Sequence, residues 1–428
     1  MDILVIGGGG REHAIIRKIK ESPLCGKVYC APGNGGIAAD AECIPSVKAT
    51  DVEGAVRLAQ EKKVDFVIVA PDDPLVLGMV DALEAAGIPA FGPRKNAAIL
   101  EGSKAFAKDL MKKYGIPTAA YEIFTDAEAA IAYVRAQNAY PTVIKADGLA
   151  LGKGVIIAQS EQEAVTAIRD MLEGGRFGDS GRRIVVEQFL SGPEVSVLAL
   201  TDGEVVRPLC SSMDHKRALD NDEGLNTGGM GTIAPNPAYT DEVAAKAMDR
   251  IFLPTIRAMN AEGRTFRGCL YFGLMVVDGD PYVIEYNCRF GDPETQVVLP
   301  LLESDLLTVM EATTNGTLDK TDVKFSDGAA ACVILASGGY PLAYEKGKEI
   351  TGLTAGQLNA ADVTVYHAGT AIKDGRLVTN GGRVLGVTAT ANTLPEALKK
   401  AYAATESIHF DKLHKRSDIG ARALAAMQ

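Results

Sequence analysis

The chain has 428 residues, enough for roughly three domains of about 150 each, and its 47% hydrophobic and 23% charged content is that of an ordinary globular protein. No stretch approaches the roughly 20 unbroken apolar residues of a membrane span, and 44 Lys and Arg against 55 Asp and Glu, a net charge of −11, argue against a nucleic-acid-binding chain while leaving room for a small basic pocket. Seven scattered cysteines without a C-x-x-C pair argue for reduced thiols rather than a disulfide framework or zinc site, and Met1–Ile6 reads as a buried strand rather than an export signal, so the expected compartment is the cytoplasm.

Residues 1–101 alternate apolar runs (Ile3–Ile6, Val28–Ala31, Phe66–Ala70) with helical patterns after Arg11 and near Gly54–Lys62. Val76, Met79, Val80 and Leu83 recur at helical spacing before Gly87, and a strand restarts at Ile88–Phe91, which predicts a doubly wound parallel sheet with ligands at the strand C-termini. From 102 to 326 the pattern becomes mixed α+β. Capping boxes are expected at Thr125/Glu128 and Ser160/Glu163, and strands at Thr142–Lys145, Val155–Ala158, Ile184–Glu187 and Val195–Leu200. A long helix after Thr240, kinked at Pro254, precedes a hairpin of Cys269–Val277 and Tyr282–Tyr286 turned by Asp278-Gly279-Asp280. Residues 327–428 hold short strands at Ala331–Ala336, Val363–Ala368 and Val384–Ala389 and a helix opened by a Thr393/Glu396 box, the pattern of a small α+β domain.

Four segments carry chemistry. The loop Gly7-Gly8-Gly9-Gly10 precedes a helix N-terminus, an anion-binding arrangement, but Glu12 stands where a dinucleotide fingerprint needs its third glycine. With Pro32-Gly33-Asn34 and Pro71–Pro74 this loop, which includes Gly9 and Arg11, lines a candidate sugar-phosphate pocket; ordinary βα turns are the alternative. Lys145-Ala146-Asp147-Gly148-Leu149-Ala150-Leu151-Gly152-Lys153-Gly154 lies between two strands and lacks P-loop spacing. Such a loop folds over a triphosphate, with amides and Lys153 neutralising charge and Lys145 reaching from the first strand; a solvated glycine hairpin is the alternative. Downstream, Ile184–Leu190 runs into a turn at Ser191–Glu194 that suits a base edge and ribose hydroxyls; an ordinary strand followed by a turn is the alternative. Finally, Glu285 and Asn287 share one strand face as two hard oxygen ligands for Mg²⁺, followed by Arg289, Gly291 and Asp292; a structural salt-bridge cluster is the alternative.

The segments Gly-Gly-Arg-Glu-His (9–13), Ala-Pro-Gly-Asn (31–34), Glu-Gly-Ser-Lys (101–104), Asp-His-Lys-Arg (214–217), Asn-Thr-Gly-Gly-Met-Gly (226–231), Glu-Tyr-Asn-Cys-Arg-Phe-Gly-Asp-Pro-Glu-Thr-Gln (285–296) and His-Ala-Gly-Thr (367–370) stand in an order that resembles the phosphoribosylamine–glycine ligase family of ATP-grasp enzymes, end to end. The resemblance implies an N-terminal Rossmann-like substrate domain (1–101), an ATP-grasp domain (102–326) with a mobile lid at about 120–190, and a C-terminal domain (327–428). It implies that ATP activates glycine as glycyl phosphate, which the amine of 5-phosphoribosylamine then attacks. Lys104, Lys145, Gly148, Gly152, Lys153 and Gly154 would then serve the phosphates; Glu187, Phe189, Leu190 and Glu194 the adenine and ribose; and Glu285 and Asn287 a Mg²⁺ or Mn²⁺ ion. Arg289 and Lys153, with Asp214 and Lys216, are the expected catalytic residues. Substrate contacts are expected from Gly9, Arg11, Pro32, Gly33, Asn34, Asp72, Asp214, Arg289, Gly291 and Asp292. Two departures stand out: Asp72 where the family often has Glu, and no acid in Tyr271–Val277, where many ATP-grasp proteins have one. The expected partners are small molecules only, with neither nucleic acid nor membrane, and the chain is expected to be a monomer. Two other readings share these motifs: another ATP-grasp carboxylase or ligase of purine or biotin metabolism, and a non-catalytic ATP sensor.

Overall fold

A computed structural model of the chain describes residues 1–149, 154–175, 178–353 and 362–428. The N-terminal apolar runs form a parallel five-stranded sheet in the order Glu42–Cys43, Val28–Pro32, Ile3–Gly7, Phe66–Val69, Ala90–Phe91, with helices Gly10–Ile19 and Val52–Lys62 between strands. Ile3, Leu4, Val5 and Ile6 are fully buried, as a central strand covered on both faces requires. The single helix expected across Val76–Leu83 is instead two, Asp72–Leu77 and Met79–Ala85. Gly78 between them has φ of +93°, a left-handed conformation that ends one helix and starts the next at an angle.

The central region holds two antiparallel sheets. One, in the order Tyr121–Phe124, Ile184–Gln188, Thr142–Ala146, Val155–Ala158, carries helices Ala127–Gln137 and Glu161–Leu172 and has its own apolar cluster, including Ile131, Val134, Ile144, Ile168 and Val186. The second has the order Val206–Pro208, Glu194–Thr201, Gly268–Val277, Asp280–Asn287. Its last two strands turn at Asp278 (φ +51°) and Gly279 (φ +80°), the paired positive dihedrals of a tight hairpin. The cap expected at Thr125 falls to Asp126, whose carboxylate accepts from the Ala129 amide, because a carboxylate next to the first turn outcompetes the preceding hydroxyl. Ser160 caps its helix as expected. Thr393 occupies the cap position without a side-chain bond, and Pro395 in the first turn supplies the start signal instead. The long helix after Thr240 runs as Asp241–Ala247, a π-helical turn Met248–Phe252 and Leu253–Ala261; the wider turn accommodates Pro254, which has no amide hydrogen to donate back.

Strands from the C-terminal region pair with central ones in a sheet ordered Met213–Asp214, Gly231–Ala234, Ala329–Ser337, Arg383–Ala391, Val363–His367. The segment Asp214–Ala234 is thereby welded to the C-terminal region, with Asp214 paired to Thr232 and set against Gly229. None of the described helices is long and apolar enough to cross a membrane.

Candidate active site

The C-terminal edge of the parallel sheet, the end of strand Asp280–Asn287 and the Asp214–Ala234 segment meet at one junction. On its nucleotide side, Thr142–Ala146 pairs antiparallel with Val155–Ala158, so the glycine loop joins two strands and no helix follows it, which separates it from a P-loop. Gly148 has φ of +90° and a Cβ there would lie 2.8 Å from Ser180 Oγ, so only glycine fits. Gly154 closes the loop by accepting the Ala146 amide at 2.8 Å, whereas Gly152 and Lys153 lie outside the described residues.

Three lysines line this side. Lys104 Nζ donates to the Gly148 carbonyl at 2.6 Å, Lys145 Nζ donates to the Ile284 carbonyl at 2.8 Å and sits 3.0 Å from Glu187, and Lys108, which the sequence did not single out, sits 2.8 Å from the other Glu187 oxygen. Lys108 and Glu187 are each 3% exposed; burial lowers the Lys108 ammonium to about 8 despite Glu187 beside it. Burial lowers Lys104 as well, with Lys145 adding to the effect against Glu285. Glu187 therefore anchors two cations with its side chain. Phe189 and Leu190 follow it at the strand end, half-buried.

Glu285 and Asn287 emerge on one face of their strand. Gly273 stands opposite Glu285 in the neighbouring strand, and a Cβ there would lie 2.8 Å from Glu285 Cγ, so the missing side chain makes room for the carboxylate. Lys216 Nζ lies 3.2 Å from Glu285 and 3.5 Å from Glu194. Its charge, opposed by burial and helped by Lys145 and Lys104, holds the Glu285 carboxyl down at about 2. Arg289 Nη2 donates to Asn287 Oδ1 at 3.3 Å and so orients the amide oxygen. An ionised carboxylate and an oriented amide oxygen suit a hard divalent cation whose remaining ligands are phosphate oxygens and water. Among the described residues no closed cage of three or more His, Cys, Asp or Glu competes with that pair.

On the other side of Arg289 lies an acid-rich pocket. Arg289 Nη2 sits 3.4 Å from Glu101 and 3.8 Å from Asp72, and its Nε has no partner although buried. Burial disfavours the guanidinium, but Glu101 and Asp72 outweigh it and hold the charge firmly. Glu101 accepts the Cys288 amide at 2.6 Å; its burial raises the carboxyl to about 7 in spite of Arg289. Asp292 is met by Gln296 at 2.8 Å and by Arg383 at 3.4 Å, and Arg383 also ties the carbonyls of Gly228 and Asp292, at 2.7 and 2.8 Å. Gly291 is required where it is, since a Cβ there would meet Glu294 at 2.4 Å.

The N-terminal loops complete the pocket. Glu12 accepts the Gly9 amide at 2.6 Å and Arg11 Nε at 2.6 Å, so it covers the amide that a dinucleotide's phosphates would need. Arg11 reaches across to the Phe290 carbonyl at 3.2 Å, and Gly9 faces Asp292. Gly33 packs its carbonyl against Gly8, and Pro32 pairs with Gly7. Asn34 donates to the carbonyls of Gly8 and His367 and accepts the amides of Gly36 and Ile37, so its side chain is fully used in holding this loop to the C-terminal region. The junction thus gathers Gly9, Arg11, Asp72, Asp214, Lys216, Glu285, Asn287, Arg289, Gly291 and Asp292. It adds Glu101, Glu294 and Arg383, which spacing alone had not marked as functional; Glu101 and Glu294 lie inside the segments that carry the family resemblance.

Comparison with known proteins agrees with this geometry. Models of phosphoribosylglycinamide synthetase match as its N domain over residues 1–101, its ATP-grasp (A) domain over 102–295 and its C domain over 330–422. Curated phosphoribosylamine–glycine ligases from Vibrio vulnificus (strain YJ016) and Escherichia coli O6:H1 are 49% and 50% identical to the chain, each over the full length of both proteins. The crystal structure of the phosphoribosylamine–glycine ligase from Thermotoga maritima superposes with a TM-score of 0.85 at 37% identity, covering 98% of this chain and 100% of that one. A biotin carboxylase from Campylobacter jejuni shares the fold at a TM-score of 0.75, with 17% identity over 97% of this chain and 92% of that one. On full-length identity near one-half and three successive domain matches, the chain belongs to the phosphoribosylglycinamide synthetase family of ATP-grasp ligases.

Proposed function

We propose that the chain ligates glycine to 5-phosphoribosylamine at the expense of ATP, through glycyl phosphate, in purine biosynthesis. The observation that carries the reading is the adjacency of two charge environments: a lysine-lined nucleotide side ending at Glu285 and Asn287, and an arginine-centred acid pocket built with the N-terminal glycine loop. A carboxylate does not react with an amine because its oxygen is a poor leaving group, so transfer of a phosphoryl group to it must come first. Lys104, Lys145 and Lys153 hold the phosphates, and the backbone of Glu187–Leu190 with Glu194 takes the adenine and ribose. Glu285 and Asn287 would hold a Mg²⁺ or Mn²⁺ ion, which would supply positive charge to offset that of the phosphates. Arg289 pairs with the glycine carboxylate, whose approach gives its unpartnered Nε an acceptor. Gly9, Arg11 and Asp72 border the sugar phosphate, and Lys216 ties the metal-ligand carboxylate Glu285 to Glu194 on the ribose side.

The test combines turnover with atom tracing. ADP release should require both glycine and phosphoribosylamine, and glycine carrying ¹⁸O in both carboxylate oxygens should pass one labelled oxygen to phosphate per turnover. Unlabelled phosphate rejects glycyl phosphate, and ATP-dependent carbon fixation in place of amide formation returns the chain to the carboxylase reading.

A further inference from the structure

Most acids of the junction have their charge matched nearby: Glu101 and Asp72 by Arg289, Asp292 by Arg383 and Glu285 by Lys216. Asp214 and Glu294 differ, since among the described residues neither has a cation within 4 Å. Asp214 Oδ1 accepts only the His215 amide, at 2.7 Å, and Glu294 Oε1 has the Ser196 hydroxyl at 3.5 Å, itself 2.9 Å from the Tyr271 hydroxyl. Two glycines clear the space around them. A Cβ on Gly229, whose φ is +115°, would lie 2.5 Å from both Asp214 Oδ1 and Cδ of Pro293, the residue before Glu294, so Asp214 lies beside the Pro293–Glu294 turn; one on Gly291 would lie 2.4 Å from Glu294 Oε2. Such a pair of under-compensated carboxylates is expensive to keep unless it has work to do.

Resting on the reading that glycyl phosphate forms here, we propose that Asp214 and Glu294 act as one proton acceptor for the attacking amine. The nitrogen lone pair forms the C–N bond, the bond from carbonyl carbon to phosphate oxygen breaks with its electron pair leaving on phosphate, and the proton that nitrogen must shed passes to the carboxylate pair. Glu294 is 4% exposed, whereas Asp214 is half-buried, so the proton leaves to water by way of Asp214. The surroundings keep the pair competent for this. Burial and the repulsion of Glu294 raise Asp214, with Lys216 and Arg383 opposing, and burial raises Glu294, with its own backbone amide, Arg289 and Lys216 opposing and Asp292 adding repulsion. A carboxyl group lifted toward neutrality is a better base than an ordinary one, which is the condition for accepting a proton from a nitrogen in bond formation. Glu101 is unsuited despite its own raised position, because both its oxygens are engaged, by Arg289 and the Cys288 amide.

The role separates two half-reactions, so the test reads each one. Activation is followed as glycine-dependent scrambling of ¹⁸O between the β–γ bridge and the β non-bridging positions of labelled ATP, with ribose 5-phosphate filling the sugar site but offering no nucleophile. Bond formation is followed as amide formed in single turnovers with phosphoribosylamine. Asp214→Asn and Glu294→Gln, which preserve shape, should each keep scrambling within about threefold of wild type and lose amide formation by about 100-fold or more, the range of a lost general base. Amide formation within about threefold of wild type in either variant overturns the proposal, as does parallel loss of scrambling and amide formation in both. Absence of scrambling in wild type, with no label passing from glycine to phosphate, marks failure of the parent reading instead.

Discussion

A single ammonium, Lys216, sets the charge state at the centre of the site. It holds Glu285 ionised at about 2, so across the neutral range that carboxylate is ready for a cation without losing a proton first. The sign follows from linkage: a depressed acid adds stability that is present above its unfolded value of about 4.3 and is lost as pH falls through about 2, so no weakening of metal binding between pH 8 and 5 should trace to this residue. Glu285→Ala should lower turnover by about 100-fold or more at saturating Mg²⁺, and its loss of the Lys216 partner should show separately as a lower thermal midpoint. A near-normal rate in that variant contradicts the metal assignment. Lys153 is argued from the chemistry of its loop alone. Lys153→Ala should cost about 2–4 kcal/mol in kcat/KM for ATP, the usual loss for one donor to developing charge, and unchanged kinetics would reduce the loop to a plain hairpin. Glu101 has the opposite sign to Glu285. Its carboxyl is raised to about 7 by burial, so folding binds an extra proton between about 4.3 and 7 and stability falls as pH rises through that window. In Glu101→Gln that part of the slope should vanish from a plot of thermal midpoint against pH; an identical slope shows that the carboxyl titrates normally.

The four-stranded sheet over 121–188, with its two helices, is an element with its own core, joined to the rest of the chain largely by polar contacts. Asp147 takes the hydroxyl of Ser103 at 3.1 Å and the amide of Ala105 at 3.0 Å, Arg183 Nη2 donates to the Ser103 hydroxyl at 3.2 Å, and Lys104, Lys108 and Lys145 reach the sheet or leave it as ammonium contacts. Polar ties of this kind exchange partners more readily than a packed apolar seam, and an acyl phosphate must be kept from water, so we propose that this element acts as a lid. Amide exchange in peptides over 142–149 and 154–158 should slow when ATP and Mg²⁺ bind; exchange that stays the same with binding verified rules the lid out. Much of this element was legible beforehand, since period-two apolar runs and Ser160 mark its strands and one helix start, and the same alternation placed Glu285 and Asn287 on one face. What stayed hidden is what tertiary packing decides. Gly78 splits a helix that apolar spacing reads as continuous, Asp126 displaces Thr125 as cap, and a π turn over Met248–Phe252 precedes Pro254, which opens the next helical segment. Likewise, the partnership of Arg289 with Glu101 joins residues 188 positions apart in sequence, and no local pattern announces which acids an arginine will choose.

At the scale of the whole molecule, the site exists only while the N- and C-terminal regions stay clasped. His13, from the Gly-Gly-Arg-Glu-His segment, accepts the His367 amide through Nδ1 at 2.8 Å and meets Asp40 through Nε2 at 3.0 Å, while Asn34 holds the His367 carbonyl at 2.8 Å. A Cβ on Gly36 would lie 2.0 Å from the His367 ring, so the two surfaces are in tight contact. The Nδ1 of His13 is an acceptor here and must be unprotonated for the clasp to hold. Burial lowers His13, burial with His13 and Arg17 nearby lowers His367 to about 3, and burial lowers His215, at the weld to the C-terminal region, to about 4. Each depressed histidine adds stability that is complete above its unfolded value of about 6.5 and is lost as pH falls toward its folded value. The chain should therefore lose thermal stability steadily from pH 7 to pH 4.5, with N–C separation as the first event. Because Asn34 spans that seam, and Arg11 and Arg383 tie the N-terminal loop and the C-terminal region to Phe290 and Asp292 at the site, turnover should fail before secondary structure does. Tryptic cleavage and far-UV circular dichroism followed against pH check the order. Substituting His367 by Asn keeps the backbone donor to His13 but removes one titrating ring, and should shrink the loss between pH 7 and 4.5; a variant that follows the wild-type curve throughout moves the acid sensitivity to His215 and His13.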